Sequence, residues 1–116
     1  MFKYFFCDID RTLLASDGSL PLVNKLAIDR ARDKGMAFII TSGRAAFGAL
    51  DIVKRVGIRE NEFVISNNGA DLFDSNFNFV KHTPFPREIS DIVFAYLLKK
   101  RVGLRVFCWI GFLIIE

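Results

Sequence analysis

Three short apolar runs, each closed by a polar cluster, constrain the fold of this chain more than any other feature. Residues 2–8 (FKYFFCD), 36–41 (MAFIIT) and 62–66 (EFVIS) have the length and apolar density of buried strands. Helical stretches separate them. Pro21 suits the first turn of a helix. Leu22, Leu26, Ala27, Arg30 and Ala31 recur at three- and four-residue spacing and predict an amphipathic helix ending at Gly35. Residues 45–56 read as a second helix, stopped by Gly57. Strands alternating with helices argue for an α/β fold, a parallel sheet with right-handed crossovers and flanking helices. Ligands of such sheets sit beyond the carboxyl ends of the strands. The clusters around Asp8–Thr12, Thr41–Arg44 and Asn67–Gly69 each fall just there.

The rest of the chain changes character. Residues 70–73 and 77–81 flank Asp74-Ser75-Asn76 and predict a hairpin. Pro84 and Pro86 then mark a boundary, dividing the chain into 1–83 and 84–116. Residues 88–101 read as a third helix, and 104–115 as one final apolar strand.

Composition excludes several classes of protein. With 116 residues, 52% apolar and 25% charged, the chain is neither disordered nor low-complexity. Its net charge of +3 is local. Without Lys99, Lys100, Arg101 and Arg105, twelve basic residues face thirteen acidic ones. A nucleic-acid binder carries a broader basic face, so no nucleic-acid partner is expected. Cys7 and Cys108 are the only cysteines, with no metal-ligand spacing, and read as free thiols in a reducing cytoplasm. Asp8 and Asp10 interrupt the apolar start too early for a signal peptide. The uncharged run 106–115 is half of the roughly twenty residues a membrane span needs. A cytoplasmic protein without membrane association is expected.

The chemistry centres on Asp8-Ile9-Asp10. Side chains alternate along a strand, so two such carboxylates share a face about 6–7 Å apart if the chain stays extended. Like charges so placed need a cation, a proton or hydrogen bonds. Mg²⁺ meets that need with oxygen ligands. One carboxylate can then attack an electrophile while the other handles a proton. The bland alternative is a pair of aspartates capping a loop. Ser42 is equally readable as a helix N-cap, Arg44 as a surface charge and Asn68-Gly69 as a plain turn.

Residues 8–14 (DIDRTLL) closely resemble the D-x-D-G-T-L signature of the haloacid dehalogenase superfamily. Ser42-Gly43-Arg44 is similar to the T-G-R of its Cof-type phosphatase branch, and Asn68-Gly69-Ala70 to the N-G-A of the same branch. The resemblance covers residues 2–82 well and the remainder poorly. It implies an incomplete Rossmann-like core, with the start of a cap domain entered through Pro84-Phe85-Pro86. It implies a Mg²⁺-dependent phosphatase acting on a small phosphorylated metabolite through an aspartyl-phosphate. Asp8 would be the nucleophile and Asp10 the general acid and then base. Asp8's side chain and Asp10's carbonyl would hold Mg²⁺, and Thr12 would support the loop. Ser42 and the Gly43 amide would hold the phosphoryl group, as helix N-termini attract phosphate. Arg44 would hold phosphate or orient a loop, and Asn68 and Gly69 would shape the substrate end.

Two departures stand against full activity. Arg11 occupies the position of the family's Gly, and strains the loop if φ is positive there. The family's downstream Lys and G-D-x-x-x-D motif have no counterpart after Asn68, where Asp71, Asp74 and Asp91 lie in a different context. Mg²⁺ binding by Asp8 and Asp10 alone is therefore expected to be weak. The uniformly apolar end, 106–115, reads as a premature stop or altered frame, as a truncated sequence, or as a strand buried in a dimer. A homo-oligomer through an exposed sheet edge or this tail is a further expectation. The rival readings are a catalytically inactive fragment or interaction module of the same fold, and a receiver-like phosphoacceptor domain.

Overall fold

The computed structural model describes residues 2–108 and 111–115. The chain divides into two compact units, Met1–His82 and Thr83–Glu116. The first holds strands β1 (Tyr4–Asp8), β2 (Ala37–Thr41), β3 (Phe63–Ser66), β4 (Asp71–Phe73) and β5 (Phe79–His82), with helices α1 (Leu22–Asp33) and α2 (Ala46–Val56). They form one sheet in the order β1-β2-β3-β4-β5. β1, β2 and β3 are parallel, and β4 and β5 return antiparallel as the expected hairpin. In the second unit, α3 (Arg87–Lys99) precedes an antiparallel pair, β6 (Leu104–Cys108) and β7 (Gly111–Ile115). No helix among the described residues is long and apolar enough to cross a membrane.

β2 lies between two strands, and Ala37, Phe38, Ile39 and Ile40 are all buried. That is the pattern of a strand covered on both faces, and it explains the unbroken apolar run. β1 is different. The sequence predicts a buried strand, yet Tyr4, Phe5 and Phe6 are exposed. β1 is an edge strand, with β2 as its partner, and its aromatic residues have fewer neighbours than composition suggests.

α2 buries Ala49, Ile52, Val53 and Val56, one stripe at helical spacing. On α1 the predicted stripe is largely wrong. Leu22 and Leu26 are exposed, and the buried positions are Ile28 and Arg32. Polar anchors choose this face. Asn24 Nδ2 donates to the Leu13 carbonyl at 2.9 Å. Arg32 reaches Glu62, which is wholly buried. Glu62 Oε1 accepts from Arg32 Nε at 2.8 Å and from the Phe38 amide at 2.9 Å. Its Oε2 accepts from Arg32 Nη2 at 2.6 Å and from the Arg59 amide at 2.9 Å. Arg32 Nη2 also donates to the Gly57 carbonyl at 2.6 Å, and the guanidinium lies 5.7 Å from the Phe38 ring centroid. One buried ion pair thus ties α1, β2 and the chain entering β3 together, with every oxygen of the carboxylate satisfied.

The single strand predicted over 104–115 is instead β6 and β7, paired from Leu104↔Ile115 to Cys108↔Gly111. Pairing with itself gives an apolar segment its backbone partners locally. The readings of that tail include Trp109 and Ile110, which lie outside the described residues.

Candidate active site

Parallel pairing sets the carboxyl ends of β1, β2 and β3 side by side, with Asp8 opposite Thr41 and Thr41 opposite Ile65. The loops leaving those ends enclose an open crevice of about 350 Å³, lined by Asp8, Thr41, Ser42, Gly43, Ile65, Asn68 and Gly69. Of the residues singled out in the sequence, Asp8, Ser42, Gly43, Asn68 and Gly69 meet here. Thr41, named in the second strand-end cluster though given no role, joins them, and Ile65 joins unpredicted, because register, not residue type, brings it in.

Asp10, Thr12 and Arg44 do not line the crevice. The extended Asp8–Asp10 geometry does not hold. The strand ends at Asp8, and Ile9 turns inward with no exposed surface. Residues Ile9–Leu13 form one wide turn, closed by the Leu14 amide donating to the Ile9 carbonyl at 2.9 Å. Thr12 is exposed on this turn. Arg11 within it has φ of +59°, a left-handed conformation that favours glycine.

Asp10 is instead gripped by Arg44. Arg44 Nη2 donates to Asp10 Oδ1 at 2.6 Å and Nε to Oδ2 at 2.9 Å, a two-pronged fork. Nη1 donates to the Gly48 carbonyl at 3.1 Å. The Arg44 hydrogen bonds hold the Asp10 carboxyl below its ordinary range against the opposing effect of burial, and the charges of Arg44 and Arg11 add to them. The pair bridges the β1 loop to the β2 loop.

Ser42 is not a helix cap, since α2 begins at Ala46. It is buried, and its Oγ accepts from the Arg44 amide at 3.1 Å. Its amide donates to the Ile65 carbonyl at 2.9 Å, and its carbonyl accepts from the Asn68 amide at 3.2 Å. The β2 and β3 loops are thereby stitched together. Gly43 permits the closest approach. A Cβ there would stand 2.8 Å from Asn68 Oδ1, nearer than such contacts come. Beside the crevice, burial and then the Asp8 charge push the Cys7 thiol up.

Sequence reasoning missed one cluster behind this wall. Asp71, set aside on context, is buried and bonded to His82 and Asn67. Its alternation with Phe73 on β4 was the available signal, since it puts Asp71 on the core face.

Hard oxygen donors suit Mg²⁺. Asp8 offers a carboxylate and the chain after it main-chain carbonyls, but Asp10's carboxylate is engaged by Arg44. No group of three or more His, Cys, Asp or Glu side chains converges among the described residues. These residues fit Mg²⁺ as members of a shell, not as a complete one.

Comparison with known proteins agrees with this fold. The haloacid dehalogenase-like hydrolase family model matches residues 5–114. The 5-amino-6-(5-phospho-D-ribitylamino)uracil phosphatase YcsE of Bacillus subtilis is 33% identical over 79 residues, 68% of this chain and 31% of that protein. YwtE of the same organism, a phosphatase of the same description, is 29% identical over 105 residues, 90% of this chain and 35% of that protein. A solved haloacid dehalogenase-like hydrolase from B. subtilis superimposes with a TM-score of 0.81 at 28% identity, covering 91% of this chain and 36% of that one. The chain thus spans about a third of the length of the relatives it matches. On the extent of the family match and on the strand-end crevice, this chain belongs to the haloacid dehalogenase-like hydrolases.

Proposed function

We infer that the crevice takes a phosphomonoester of a small metabolite and that the chain's chemistry is phosphoryl transfer to Asp8. The observation that carries this is the meeting of Asp8, Ser42, Gly43, Asn68 and Gly69 at three adjacent strand ends. Relatives described as phosphatases of a phosphorylated ribitylamino compound support a substrate of that size and polarity.

In the first step an Asp8 carboxylate oxygen attacks phosphorus, and the bond to the ester oxygen breaks. The leaving alkoxide takes a proton from Asp10. In the second step water attacks the aspartyl-phosphate, Asp10 takes the water's proton, and inorganic phosphate and free Asp8 result. Asp10 held by Arg44 is ionised, the form needed for the second step. To act as the acid in the first step it must take up a proton from solvent as substrate enters, which requires the Arg44 fork to loosen; the proton taken from water in the second step then restores the protonated form. Ser42 and Gly43 line the crevice, and the hydroxyl of the one and the amide of the other would donate to the phosphoryl group. Mg²⁺, with Asp8's carboxylate and Asp10's main-chain carbonyl in its shell, would offset the charge gathered between phosphate and nucleophile. Thr12 would brace the wide turn carrying Asp10.

The test is hydrolysis of an aryl phosphate by the purified chain, with and without Mg²⁺, beside Asp8→Asn. Mg²⁺-dependent release of phosphate that vanishes in the variant is the expected result. Equal rates for the two proteins, each folded by circular dichroism, would overturn the assignment of Asp8.

A further inference from the structure

Asn67, Asn68 and Gly69 take three successive left-handed conformations, with φ of +53°, +55° and +91°. Asparagine tolerates this region better than most residues, but two in a row persist only where the surroundings over-determine them. The main chain is held on one side. The Asn67 amide donates to the Arg44 carbonyl at 2.7 Å, and the Asn68 amide to the Ser42 carbonyl at 3.2 Å. The side chain of Asn67 is held on the other. Its Nδ2 donates to Asp71 Oδ2 at 3.4 Å. Asp71 is 6% exposed, and its second oxygen meets His82 Nδ1 at 2.6 Å. Register places Asp71 opposite both Ser66 and His82, so β3, β4 and β5 all meet at this point. The hydroxyl of Ser66 is buried without a hydrogen-bond partner among the described residues, so it offers Asp71 no help.

A buried carboxylate on a sheet face is costly where an apolar side chain packs for nothing. What Asp71 adds is a grip on the turn whose next residue, Asn68, forms the crevice wall and presses on Gly43. We propose that Asp71, fixed by His82, is a positioning residue of the substrate crevice: it clamps Asn67 and so sets where Asn68 stands against Gly43. The proposal rests on the reading of the crevice as a phosphate-ester site.

Two readouts on the full chain separate the clamp from that reading. The first is amide hydrogen exchange. Asp71→Ala and His82→Ala speed exchange at Asn67 and Asn68 about tenfold, while the Ile40 amide in the middle of β2 keeps its rate. His82→Asn returns an amide nitrogen to the place of Nδ1 and restores protection. Asp71→Asn, the gentler change, falls between. The second is aryl phosphate hydrolysis, where both alanine variants raise KM about fivefold and leave kcat within about twofold, as loss of uniform binding does. Unchanged exchange at Asn67 and Asn68, or equal acceleration at Ile40, overturns the clamp. Failure of His82→Asn to restore protection overturns the part given to His82. If the wild-type chain has no turnover, the phosphatase reading falls, and the exchange pattern alone decides the clamp.

Discussion

Replacing Glu62 with alanine is the most severe single test of how the first unit is held together. Glu62 is wholly buried and accepts four hydrogen bonds, two from the Arg32 guanidinium and two from the Phe38 and Arg59 amides. Its loss leaves Arg32, 8% exposed, with Asp29 at 3.2 Å and the Gly57 carbonyl as remaining partners. Removing one member of a buried pair costs about 3–5 kcal/mol, because the other charge stays buried. Each orphaned amide would add about 1–3 kcal/mol if nothing relaxed. The sites share one carboxylate, so these figures do not add, and about 4 kcal/mol is the expected loss. Set against a typical total of about 5–15 kcal/mol, that is a large fraction. With a urea slope of about 1.5 kcal/mol/M, the midpoint falls by about 2.7 M. Far-UV circular dichroism through a urea titration measures it. Replacing both partners, Arg32→Met with Glu62→Leu, should recover most of the loss, since no unpaired charge then remains. A single-variant loss below about 1 kcal/mol would refute the claim that the pair holds α1 to the sheet. Acid probes the same bond. Burial pushes the Glu62 carboxyl up, but Arg32 and the two amides together hold it below its ordinary value. A carboxyl lowered on folding stabilises above its unfolded pKa of about 4.3, and that contribution disappears as pH falls through the folded value. Wild type should therefore lose stability below about pH 4 more steeply than the double variant.

Arg11→Gly should raise the urea midpoint slightly. Relief of the left-handed backbone is worth about 1–2 kcal/mol, and glycine's extra unfolded-state freedom takes back about 0.5–1 kcal/mol. Arg11→Ala, which keeps the strain, should show no such gain. Arg44→Met removes the fork that holds the Asp10 carboxyl down, so the Asp10 side-chain carbon resonance should titrate at higher pH than in wild type; an unchanged midpoint would show that the fork does not persist in solution. Calorimetric titration should find Mg²⁺ binding to the isolated chain weak, since the shell is incomplete; tight binding that survives Asp8→Asn would point to ligands elsewhere.

The first three strands were legible because each is a short apolar run ended by turn residues, whereas the run 104–115 hid the turn that divides it into β6 and β7. The α2 stripe was legible because Ala49, Ile52, Val53 and Val56 repeat at helical spacing. The α1 face was not. Its decisive residue is an arginine whose partner lies thirty residues on, and periodicity weighs apolar side chains only. The exposure of β1 was equally hidden, since burial depends on which strands flank it. Within the candidate site, membership of Asp8, Ser42, Gly43, Asn68 and Gly69 in one crevice followed from the strand-end rule. The union of Asp10 with Arg44 did not, because it needs a turn after Asp8 that no alternation pattern reveals. Asp71 escaped notice because its importance lies in what it holds in place.

The strand order also has a consequence for how the unit is made. Each strand of the sheet lies beside the one synthesised just before it. No strand waits to be inserted between two others, and the largest gap to close is the β1-α1-β2 crossover, complete once Thr41 has emerged. The sheet can therefore grow from one side during translation. The two parallel crossovers, which join residues as far apart as Tyr4 and Ala37, are the slow steps, and the β4–β5 hairpin is the local one. The β4–β5 hairpin, which brings in Asp71 and His82, is then the last piece to settle on the crevice wall.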